Sequence, residues 1–183
     1  MSRLRIFDDK PGSEAEPLAT HEAPEAISDA LAAIGVRFER WPTHDSVAAG
    51  SSQEDVLAAY ATEIERLSAA EGYRSADVVS MTPTHPDRAE MRTKFLDEHT
   101  HDEDEVRFFV DGSGLFTLHV DDRVHEVLCE RGDLIGVPAG TRHWFDMGPA
   151  PSFCAVRLFT NPDGWAARFT GSDIALRYPS YEP

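Results

Sequence analysis

The sequence predicts a mainly β chain, a sandwich or small barrel with helices packed against it from the amino-terminal side. From about residue 77 onward, short β-rich runs are broken by Pro, Gly and Asp, the pattern of an all-β sandwich or barrel. The first third instead carries segments whose apolar residues recur at about 3.6, the helical period. A length of 183 residues suffices for one core with a modest helical appendage. We therefore expect a single domain over 1–183, with a mixed helical portion at 1–76, a β region at 77–160 and a tail at 161–183.

The elements follow in order. Ile27, Leu31 and Ile34 mark a first helix, and Gly35 offers its stop. Residues 36–41, Val-Arg-Phe-Glu-Arg-Trp, alternate as a half-buried strand does. A second helix opens at Ser52 with Asp55 three residues on, presents Val56, Tyr60, Ile64 and Leu67 on one face, and ends at Gly72. Strands are expected at 77–81, 106–110, 115–120, 124–128, 134–137, 143–147 and 153–159, with Asp111-Gly112-Ser113-Gly114 and Asp121-Asp122 as hairpin turns. The tail offers a short helix around 165–169, and Trp165 either closes a pocket or, as we favour, anchors the tail.

Thirty-three acidic side chains against seventeen Lys and Arg give a formal charge of −16, a field that repels nucleic-acid phosphates and anionic membranes. Nucleic acid and membrane are excluded as expected partners. An anionic small substrate would need a local cation to overcome the same field. Cys129 and Cys154 lie in apolar strands and read as buried thiols with no disulfide. The amino terminus lacks a secretory apolar run, and no stretch approaches the ~20 apolar residues of a membrane span; a cytoplasmic location is expected.

His99 and His101 are two residues apart, so on a strand both imidazoles leave by one face. Glu105 and Arg107 share that parity, although a bend at Asp102-Glu103-Asp104 could alter it. The segment 132–143 reads strand, Pro/Gly turn, then His143, which is the natural fourth ligand. Three imidazoles and a carboxylate suit Fe(II), Ni(II), Mn(II) or Zn(II). Arg107 is either the cation beside a bound anion or an exposed strand residue paired to an acidic neighbour. Phe95 and Phe145 can face the same cavity as apolar walls or serve as ordinary core. Glu98, Asp102, Glu103 and Asp104 lie nearby without a geometry that selects one as general base. His21, His44, His85, His119 and His125 stand outside this constellation and are read as solvent-facing or structural.

His99-x-His101-xxx-Glu105-xxxxxx-Gly112, with Gly132-xxxxx-Pro138-x-Gly140-xx-His143, resembles the two cupin motifs. Met147 stands where many cupins carry Asn, a position that is not a ligand. The longer runs 95–101, 105–109 and 140–146 make the chain similar to the acireductone dioxygenase family, as does the helical portion before the β region. The resemblance implies a cupin-type double-stranded β-barrel (jelly roll) with packed N-terminal helices. It implies a metal-dependent dioxygenase of methionine salvage with one Fe(II) or Ni(II) per chain, held by His99, His101, Glu105 and His143. Its partners would be O2 and the small molecule 1,2-dihydroxy-3-keto-5-methylthiopentene. Arg107 matches the family's substrate-contacting, catalytic arginine, and Phe95 and Phe145 match its substrate walls. With iron the implied products are formate and 4-methylthio-2-oxobutanoate; with nickel they are CO, formate and 3-methylthiopropanoate. A monomer is expected. The four ligands alone do not select the chemistry. Another metallocupin oxygenase or isomerase, or a non-catalytic ligand-binding cupin, therefore stays open.

Overall fold

One strand organises the molecule. In the computed structural model, which describes residues 1–161 and 166–182, strand β6 runs without interruption over Glu105–Val120. Its first part pairs with β8 (Asp133–Val137) and β10 (Phe153–Phe159), and its second part with β7 (Arg123–Glu130) and β9 (Arg142–Asp146). β6 thus passes from one layer of the sheet into the other.

The first layer runs β11 (Arg168–Phe169), β5 (His99–Thr100), β9, β6, β7, β1 (Arg3–Asp8), β2 (Ala19–His21). The second runs β4 (Ser75–Met81), β10, β6, β8, β3 (Arg37–Arg40). All pairs are antiparallel. The chain is mainly β, as expected, but the strand network stays open and does not close into a ring.

Residues 111–114 do not form the expected hairpin turn. Asp111 and Gly112 stay paired to Cys154 and Phe153, and the register slips between Cys154 and Ala155. Such a bulge bends a strand without ending it. Gly112 has φ +72°, and a Cβ there would lie 1.8 Å from the Ser152 carbonyl oxygen, so the bend requires glycine. Asp121 (φ 52°) does turn the chain between β6 and β7.

Apolar side chains sort by strand parity. Phe109, Phe116, Phe145, Phe153, Ile135 and Val137 fill the space between the layers. Phe108, Leu134, Val156 and Leu158 point the other way, into a second cluster closed by Val56, Tyr60 and Leu67. Val56 lies on α2 (Gln53–Ala59), Leu67 on α3 (Ala61–Glu71), and Tyr60 at the junction between them. Sequence periodicity predicts one helix here, but Tyr60 (φ −111°, ψ 18°) breaks it in two. Its hydroxyl accepts from the His44 amide and its ring packs on Phe108. The predicted caps are present: Ser52 Oγ accepts from the Asp55 amide at 3.1 Å, and Gly72 closes α3 in the left-handed region. The first predicted helix is α1 (Pro24–Ala32), which buries Ile27 and Leu31.

Several elements were not foreseen. β1 and β2 extend the first layer, and α4 (Arg88–Leu96) interrupts the β region. In the tail, Arg168 and Phe169 are a strand and not the end of a helix; Trp165 lies outside the described residues. Ile174 and Tyr178 pack with Phe7, Val124 and Trp144 on the outer face of the first layer. Cys129 and Cys154 are both free and buried. Among the described residues no helix is long and apolar enough to cross a membrane.

Candidate metal centre

The site is assembled where β5, β6 and β9 meet. His99 and His143 are direct cross-strand partners, and His101 follows His99 by two residues. One ligand-capable atom from each of His99, His101 and His143 lies within 4.8 Å of the others, and all three residues are buried. The ring centroids stand 4.6 Å (His99 to His143), 5.1 Å (His99 to His101) and 5.3 Å (His101 to His143) apart. Glu105, at the start of β6, reaches them from the other layer. Its Oε2 is 2.7 Å from His143 Nε2 and 3.4 Å from His101 Nε2.

Two rings are oriented by the backbone. His99 Nδ1 donates to the Asp97 carbonyl at 2.7 Å, and His143 Nδ1 donates to the Thr141 carbonyl at 2.8 Å. In a neutral imidazole whose Nδ1 carries the proton, Nε2 presents a lone pair. With His143 neutral, the lone pairs of its Nε2 and of Glu105 Oε2, 2.7 Å apart, face one another, an arrangement a cation relieves. This donor set fits a divalent transition metal.

Electrostatics keep His99 and Glu105 in metal-binding form. Burial, with the neighbouring His143, depresses His99 to about 4, so it stays neutral near pH 7. Burial opposes ionisation of Glu105, but the Arg107 guanidinium, with His101 and His143 beside the carboxylate, outweighs it and holds the carboxyl well below its usual range. Arg107 Nη2 is 2.7 Å from Glu105 Oε1. Its guanidinium also lies 4.8 Å from the Phe145 ring, 5.4 Å from Phe116 and 5.9 Å from Phe95, within cation–π range. The Phe95 ring stands 6.4 Å from that of His99. The structure thus brings His99, His101, Glu105, Arg107, Phe95, Phe145 and His143 into one locality.

Two neighbours escaped the sequence reading. Phe169 pairs with His99 across β5 and β11, and the two rings are 5.8 Å apart. Arg157 stands opposite Arg107 in the β6–β10 pairing and holds Asp77 through two hydrogen bonds of 2.7 and 2.6 Å. Its parity with Phe153 and Ala155 was the available signal. Glu98 is engaged away from the cluster: its carboxylate meets His119 Nδ1 at 2.6 Å and the Thr170 hydroxyl at 2.6 Å. As His99's neighbour on an extended segment it leaves by the opposite face. A groove of about 790 Å³, bordered by Arg3, Arg5, Leu128 and Tyr181, contains none of the cluster's residues.

Residues 3–167 match the model of the ARD/ARD' family. An acireductone dioxygenase of Pseudomonas paraeruginosa is 59% identical over 182 residues, which span 100% of this chain and 99% of that protein. One from Stenotrophomonas maltophilia is 58% identical over 184 residues, 100% of this chain and 98% of that protein. The solved structure of an acireductone dioxygenase from Bacillus anthracis, with a cadmium ion in its active centre, is 31% identical with a TM-score of 0.79. The match covers 92% of this chain and 98% of that one.

Proposed function

We propose, from the premise that this chain belongs to the ARD/ARD' family and is an enzyme of the acireductone dioxygenase type, that it cleaves the methylthio-substituted acireductone of methionine salvage with O2. The reading rests on one observation: three buried imidazoles with ligand atoms within 4.8 Å of one another, completed by a carboxylate 2.7 Å from one of them. His99, His101, Glu105 and His143 are the proposed ligands of one Fe(II) or Ni(II). When bound, such an ion supplies Lewis acidity to an enediol and a template for its oxygens.

The chain's own residues do the rest. The Nδ1 hydrogen bonds of His99 and His143 fix ring orientation before any ligand arrives, which raises affinity by pre-organisation. Arg107 is the cation that offsets the −16 field at the point where an enediolate docks. Because it also pairs with Glu105, it orients the carboxylate and the substrate together. Phe95 and Phe145 give the pocket apolar walls that exclude water and strengthen each charge interaction inside.

The test reconstitutes metal-free protein separately with Fe(II) and Ni(II), supplies acireductone and O2, and analyses products. Formate with 4-methylthio-2-oxobutanoate is expected from the iron form, and CO, formate and 3-methylthiopropanoate from the nickel form. Acireductone decay no faster than in a protein-free control, with both metals, would reject the assignment.

A further inference from the structure

Helix α4 lies beside the candidate centre yet buries no residue completely. Met91 and Phe95 are its partly buried apolar contacts with the inter-layer core. Its other described anchor is polar. Arg92 donates from Nε to Asp146 Oδ1 at 2.7 Å and from the terminal nitrogen Nη2 to Oδ2 at 2.9 Å, a two-point fork that fixes direction as well as distance. Asp146 is 3% exposed. Its carboxylate also accepts from the Gly148 amide at 2.8 Å and the Tyr181 amide at 2.9 Å, so one buried group gathers α4, the turn after β9 and the tail.

The chain positions of this pair give it reach. Asp146 follows Phe145 directly and His143 by three residues on β9. Arg92 precedes Phe95 by three residues on α4, which puts both on neighbouring faces of one turn. We propose that Arg92 and Asp146 are positioning residues, a clamp that seats α4 at the centre and holds the Phe95 ring against Arg107 and His99. This rests on the substrate reading above only in giving Phe95 something to contact; the seating itself follows from the geometry.

The experiment compares metal-loaded, full-length wild type with Arg92→Gln by peptide-resolved hydrogen exchange and by steady-state kinetics with acireductone. The Arg92 side chain is 21% exposed, and its replacement leaves the buried Asp146 with its Gly148 and Tyr181 contacts. The clamp predicts exchange in Arg88–Leu96 faster by about tenfold, with β6 and β10 unchanged within about twofold. It predicts a KM raised by about fivefold with kcat altered by less than about twofold, and Arg92→Lys, which keeps one charged contact, recovering part of both. Asp146→Asn reproduces the helix-specific acceleration from the other side. Unchanged exchange in α4, acceleration shared equally by the sheets, or an unchanged KM would overturn the proposal. If wild type itself leaves acireductone unconsumed, the substrate reading fails, and the exchange result alone decides the clamp.

Discussion

Arg107 and Glu105, two residues apart on one face of β6, form a buried ion pair of 2.7 Å in which the side chains are 5% and 3% exposed. One carboxylate oxygen serves the arginine while the other faces His101 and His143. The arginine holds Glu105 and is proposed to meet the substrate as well, and two substitutions separate these tasks. Arg107→Lys preserves charge beside Glu105 and retains metal, but loses the planar fork, so turnover falls. Arg107→Ala leaves a buried carboxylate without its cation and weakens metal binding by about tenfold or more in addition. Metal titration monitored beside kcat/KM distinguishes the two variants.

His99→Ala and His143→Ala each remove a donor from the cluster and should lose most bound metal, since the remaining groups cannot complete the shell. Elemental analysis of purified variants, with circular dichroism to show an unchanged fold, checks this. Wild-type occupancy in both would remove these positions from the centre.

Phe145, proposed as a pocket wall, is also core. It is 1% exposed, its ring lies 4.8 Å from Phe116 and 5.9 Å from Phe153, and a Cβ on Gly114 would stand 2.5 Å from it. Phe145→Ala should destabilise by about 3–5 kcal/mol, lowering the unfolding midpoint by roughly 10 °C. Gly114→Ala should disturb the same ring from the opposite side. Calorimetry reads both.

Acid sensitivity should expose the Arg92–Asp146 pair. Burial opposes ionisation of Asp146, but the Arg92 fork and two backbone amides outweigh it, so its folded carboxyl titrates below the ordinary value. A depressed carboxyl contributes stability that is complete above the unfolded pKa and lost as pH falls through the folded one. The difference in unfolding midpoint between wild type and Arg92→Gln should thus be constant from pH 7 to about 5 and shrink below about 4. A difference that persists unchanged at pH 3 would show that charge is not what holds the pair.

The thiols should be silent. Burial raises Cys129 well above its ordinary value and pushes Cys154 up to about 11. Native protein at pH 8 should react with no thiol reagent, and unfolded protein at both cysteines. Reaction of the native form would indicate that the strands bearing them open locally.

The candidate ligands were legible because strand parity and the Pro/Gly turn before His143 are local properties of the chain. The same holds for Ser52 and Gly72, whose capping roles depend on near neighbours. What the sequence hid depends on distant partners. α4 has too few apolar residues for its period to show, and Arg92 finds its purpose only in Asp146, 54 residues away. β5 is two residues long and exists through its pairing with β9 and β11. The glycines at 112 and 114 suggest a turn, but the bulge opposite β10 turns that signal into a bend within a continuous strand.

That continuity gives the centre a mechanical meaning. His99 and His143 belong to one layer and Glu105 to the other, so an ion held by the proposed ligands would act as a rivet between two plates. Its binding energy would count toward folding, and the metal-free protein would be the one that gapes at this end.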